Sequence, residues 1–120
     1  MAPARSALIV VGSGPDGERG WLGLRTALAL GAAGFEVTVW LTGPGALFAQ
    51  PLDARSWLGG DPAADVDGLV ADLGARVLVD ERSALDGEPA PGRPLRAGIE
   101  PGAAAAYRTL AGGADVIVAF

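Results

Sequence analysis

A chain of 120 residues without cysteine or histidine excludes disulfides, thiolate metal sites, thiol nucleophiles and the usual general base. Half of its residues are hydrophobic, enough for one domain to fold without staples, since a chain of this size buries roughly two-thirds of its unfolded surface. The net charge is −5 and all nine basic residues are arginines, scattered from Arg5 to Arg108, so neither direct nucleic-acid binding nor lysine Schiff-base chemistry is expected.

Ala7 to Val11 is a continuous, β-branched apolar run, as a strand buried on both faces requires. It is too short for a signal-peptide core or a membrane span, and the chain reads as cytoplasmic. Gly12 to Gly17 breaks it. A helix is expected from about Arg19 to Ala33, with Trp21, Leu24, Leu28 and Ala32 on one face and Gly34 ending it. Phe35 to Leu41 reads as the second strand and Thr42 to Gly45 as a turn. Ala46 to Gln50 fits a short helix before Pro51, and Asp53 to Gly60 a loop. Asp61 and Pro62 form a helix start, with Asp as N-cap and Pro in the first turn. Val66, Leu69, Val70 and Leu73 supply that helix with an apolar face, and Gly74 ends it.

Arg76 to Val79 is the third strand, and Asp80 to Leu85 fits one helical turn after it. Residues 86–94 hold too many prolines and glycines for regular structure. Leu95 to Ile99 reads as a short extended segment, Pro101 to Leu110 as an alanine-rich helix closed by Gly112 and Gly113, and Asp115 to Phe120 as a final strand. Strands alternate with helices throughout. That order predicts an α/β, three-layer sandwich around a mostly parallel sheet of four to five strands, in a single domain over residues 1–120.

Gly12, Gly14 and Gly17 satisfy G-x-G-x-x-G between a strand and a helix, the context of a dinucleotide site. Pro15 removes an amide from that loop, Leu41 and Thr42 stand where an acid should end the second strand, and the chain has room for about half of the full topology. A tight strand-to-helix turn explains the glycines better. A small anion at the helix start is the functional alternative.

Three stretches carry a family resemblance: Leu8-Ile-Val-Val-Gly-Ser-Gly-Pro-Asp-Gly-Glu-Arg19, Gly23-Leu-Arg-Thr-Ala-Leu-Ala-Leu30 and Gly34-Phe-Glu-Val-Thr-Val-Trp-Leu41. Leu73-Gly-Ala-Arg-Val-Leu-Val79 and Ala114-Asp-Val-Ile-Val-Ala-Phe120 extend it over nearly the whole chain. In order and spacing they are similar to the DsrE/DsrF/TusD family. The resemblance implies a parallel α/β fold, homo-oligomers or hetero-oligomers with related subunits, a sulfur-carrier protein as partner, and sulfur passed as a protein-bound persulfide. It also implies a cysteine just after the third strand, the place that Asp80 holds here. A carboxylate cannot carry sulfane sulfur, because it is neither soft nor able to form an S–S bond. Ser83 is no substitute, with no histidine to activate its hydroxyl. The relay chemistry therefore does not transfer to this chain, which leans away from catalysis.

Asp80, Glu81, Arg82 and Ser83 are placed at the carboxyl edge of the sheet, where such folds bind ligands. Ser13, Gly14, Asp16 and Arg19 belong to the loop expected at the same edge. Together these eight residues are the candidate ligand or partner surface. The plainer reading has Asp80 capping the next turn and Arg82 pairing with an acid. Asp16 and Glu18 match no known cation loop, and no cofactor is expected. Trp21, Trp40, Phe48 and Tyr107 read as core residues, Trp57 as an interface anchor beside Gly59 and Gly60, and the Ala103–Ala106 run as a close helix contact. Three functions follow: a cysteine-less, non-catalytic subunit or binding module for a sulfur-handling partner; a small-ligand, nucleotide or anion binder using the 12–19 and 80–87 loops; and, ranked last, an enzyme using Asp80 or Asp16 as base.

Overall fold

The computed structural model describes residues 4–51, 61–85 and 95–120. Among them run five strands: β1 (Ser6–Val11), β2 (Glu36–Leu41), β3 (Arg76–Asp80), β4 (Ile99–Gly102) and β5 (Val116–Ala119). They form one parallel sheet in the order β4-β3-β2-β1-β5. The helices are α1 (Glu18–Ala32), α2 (Pro62–Asp67), α3 (Glu81–Leu85) and α4 (Ala104–Gly113). A 3-10 helix over Gly43–Ala49 follows β2, and α2 widens into a π turn over Gly68–Asp72.

The layering follows from handedness. From β1 to β4 the chain steps one way across the sheet, and from β4 to β5 it returns the other way. Right-handed crossovers in opposite directions lie on opposite faces. So α1, the 3-10 helix and α2 cover one face, packing Leu24, Phe48, Val66 and Leu69 on Ile9, Val11, Val39 and Val79. On the other face α4 packs on Leu8, Trp40 and Leu78. Alternate residues of β1 thus face different layers and both are apolar, which is why the run is continuous in the sequence.

The face that α1 buries differs from the one expected. Gly20, Gly23, Leu24 and Ala27 are its buried residues; Trp21 and Leu28 are half-buried and Ala32 is exposed. Spacing among large apolar residues misplaced the stripe because two of the positions that touch the core are glycines. A Cβ on Gly20 would meet the Ser13 carbonyl and the Phe48 ring, so the absence of a side chain brings α1 onto the sheet. Gly34 ends α1 as expected, with φ 98°.

Asp61 caps α2, accepting from the Ala63 amide at 3.0 Å. The predicted short helix after β2 starts earlier, at Gly43, as a 3-10 turn. The fourth strand is displaced from the expected Leu95–Ile99 segment to Ile99–Gly102, and the last helix starts at Ala104 rather than Pro101. Pro101 lies within β4, which among the described residues pairs only with β3; an edge strand tolerates the missing donor. The Ala103–Ala106 run packs through Ala106, while Ala103, Ala104 and Ala105 are exposed. Arg96 fastens the approach to β4: its amide donates to the Ala49 carbonyl (2.7 Å), and its guanidinium to the Ala63 carbonyl (3.2 Å) and Asp67 (2.7 Å). Trp57 and the 86–94 loop lie outside the described residues. Among the described residues no helix is long and apolar enough to cross a membrane.

Candidate functional site

Asp80 is the last residue of β3, half-buried at the carboxyl edge of the sheet. Its Oδ1 accepts from the Arg82 amide at 3.1 Å, closing the turn into α3. Its Oδ2 accepts from the Thr42 hydroxyl at 3.1 Å. Three residues further on, the Ser83 hydroxyl oxygen accepts from the Gly43 amide at 2.8 Å. The register pairs Leu41 with Val79, which brings Thr42 beside Asp80. Two strand ends are therefore laced by two side-chain bonds. The capping role assigned to Asp80 is what the geometry shows.

The other half of the capping reading, Arg82 paired with an acid, has no counterpart among the described residues. Arg82 forms no ion pair among the described residues; the two found there are Arg25–Asp65 (3.3 Å) and Arg96–Asp67 (2.7 Å). Arg82 instead lines a cavity of about 290 Å³ with Asp80 and Thr42. The apolar side of that cavity is Val10 and Trp40 from the sheet, with Ala104 and Tyr107 from α4. The Trp40 and Tyr107 rings pack at 5.2 Å between centroids, tilted by 58°. A larger depression of about 410 Å³ lies at the opposite edge, by Phe35, Glu36 and Arg76. Parallel α/β sheets bind ligands at the carboxyl edge, and of the residues singled out in the sequence Asp80 and Arg82 line the cavity there.

The 12–19 loop reaches the same edge but not the same cavity. Residues Thr42 to Gly45 stand between it and α3: Gly14 is buried against Pro44, while the Gly43 amide bonds Ser83. Ser13 is half-buried, Asp16 and Arg19 are exposed, and so is Glu81. The loop therefore makes a turn and packs on its neighbour. Gly17 offers α1 no side-chain cap, but Glu18 in the first turn places negative charge where an anion would sit. No group of three or more carboxylates able to hold a metal occurs among the described residues.

Thr42, Trp40 and Tyr107 were not picked out from the sequence as site residues. Thr42 carried a usable signal, because it directly follows β2 at the edge where Asp80 ends β3. Trp40 and Tyr107 carried none, since a large aromatic in an apolar run reads as core.

The model of the DsrE/DsrF-like family matches residues 5–120. The chain belongs to that family. The crystal structure of the YchN protein from E. coli resembles this DsrE/DsrF-like chain with a TM-score of 0.81, over 97% of this chain and 99% of that one. At 18% identity the likeness speaks for the fold alone. No curated protein sequence matches. The parallel sheet, the crossover helices and the matched span are those expected of the DsrE/DsrF-like fold.

Proposed function

We propose that this protein is a non-catalytic DsrE/DsrF-like subunit or binding module that supports sulfur handling by a thiol-bearing partner. The observation that carries the reading is chemical. The family resemblance implies a cysteine where Asp80 stands, and Asp80 is a carboxylate tied to Thr42 and to the α3 turn, in a sequence with no cysteine. A group that cannot form an S–S bond cannot hold a persulfide.

Assembly with copies of itself or with related subunits is part of this reading. Among the described residues β5 is an edge strand, so a row of its backbone groups is left for a neighbour. The test has two measurements. Purified protein is incubated with a persulfide donor and assayed for bound sulfane sulfur, and its mass in solution is taken by light scattering. No bound sulfur with a multimeric mass is the expected result. Uptake of sulfane sulfur, or a monodisperse monomer at micromolar concentration, would sink the reading.

The cavity at Asp80 and Arg82 favours a second reading, small-ligand binding. It predicts thermal stabilisation by a ligand that enters the cavity. A flat melting screen across nucleotides, phosphate and small metabolites would remove it.

A further inference from the structure

Asp80 and Arg82 carry opposite charges and line one cavity, yet they are not paired with each other. Each Asp80 oxygen accepts one hydrogen bond from the protein and keeps lone-pair capacity for another. The Arg82 guanidinium forms no hydrogen bond or ion pair among the described residues, and its planar fork suits a carboxylate. A simple anion would satisfy Arg82 but sit beside Asp80 at a like-charge cost. A simple cation would meet the converse. A molecule carrying both charges satisfies both.

The remaining wall is apolar, formed by Val10, Trp40, Ala104 and Tyr107. At about 290 Å³ the cavity lies just below the range for ligand pockets, roughly 300–1,000 Å³, so it suits a small metabolite and not a dinucleotide. We propose that this cavity binds a free α-amino acid with an apolar side chain: ammonium toward Asp80, carboxylate toward Arg82, side chain on the aromatic wall. The assignment deepens the ligand-binding reading above and rests on it.

The test is calorimetry and thermal melting with leucine and methionine, against glycine, 3-methylbutylamine, 4-methylpentanoate and inorganic phosphate at equal concentration. Leucine or methionine is expected to bind and raise the melting midpoint, with the amine and the acid at least about tenfold weaker, the worth of one hydrogen bond to a charged group, and glycine about tenfold weaker or more because it has no side chain to bury on the aromatic wall. Asp80→Asn and Arg82→Gln are each expected to lose about tenfold or more in leucine affinity. Arg82 is exposed, so its variant keeps the test alive should Asp80→Asn not fold. The assignment is overturned if the acid or the amine matches leucine, if Arg82→Gln binds leucine as the parent does, or if no amino acid binds. Stabilisation by phosphate or nucleotide without a response to leucine overturns it while the ligand-binding reading stands. Silence to these compounds overturns the assignment, and silence also to the wider screen of nucleotides and small metabolites removes both. None of these outcomes bears on sulfane-sulfur uptake or on mass in solution, which test the subunit reading separately.

Discussion

Replacing Gly20 with alanine should destabilise this protein, although alanine is the better helix former by about 1 kcal/mol. The added methyl would meet the Ser13 carbonyl, and two Phe48 ring carbons at 2.7 and 3.1 Å. Phe48 is 0% exposed, so its ring has nowhere to swing. Overpacking costs about 1–3 kcal/mol, and a methyl set against a backbone carbonyl belongs to the upper half of that range, about 2–3; subtracting the propensity gain leaves a net loss of about 1–2 kcal/mol. Gly112 is the control. It lies near the end of α4, where an added methyl would have nothing within 4 Å, and alanine there should gain about 0.5 kcal/mol. Urea unfolding followed by circular dichroism, at one protein concentration, gives both values from the midpoints if the slope is unchanged. Opposite signs are expected. A Gly20→Ala protein as stable as the parent would refute the close approach of α1 to the 12–17 loop, and an equal loss at Gly112 would show that sterics are not the cause.

Thr42→Val keeps the shape of residue 42 but deletes the 3.1 Å bond to Asp80, and should cost about 1–2 kcal/mol in urea unfolding; no change would mean that the bond contributes nothing. Arg96→Met removes the guanidinium that holds the Ala63 carbonyl and Asp67. A loss of about 1–3 kcal/mol by thermal melting is expected, and stability equal to the parent would contradict its role as a fastener between α2 and the approach to β4. Asp80→Cys is expected to gain sulfane sulfur from a persulfide donor, seen as a mass increase that thiol reductants reverse; a thiol there that stays inert would show that the place alone does not make an acceptor.

Strand identity was readable because burial on both faces writes itself as near-continuous apolar runs: Ala7 to Val11, Val37 to Leu41 (broken only by Thr38) and Val77 to Val79 are buried or nearly so. The cap at Asp61 was readable because its Asp-Pro chemistry is local. What failed was non-local. The buried stripe of α1 runs through Gly20 and Gly23, and a glycine's packing depends on which backbone comes close to it. Pro101 reads as a helix start unless β4 is known to be an edge. At the site, position picked out Asp80, and its cap followed from residue type. Thr42 could be placed at the edge because it follows β2, but its bond to Asp80 needed the register of β2 against β3, and the place of Arg82 needed the cavity that Tyr107 completes from a helix distant in sequence.

α4 contains no fully buried residue, and through Ala106, Tyr107 and Leu110 it packs on a cluster of just three buried side chains, Leu8, Trp40 and Leu78. It is therefore the segment whose amides should exchange with solvent ahead of those of α1, which is anchored in the larger core. Tyr107 and Ala104 form one side of the cavity, so a ligand seated there bears directly on this helix. Whatever fills that space slows deuterium uptake along α4 first, and a molecule bound elsewhere leaves that uptake unchanged.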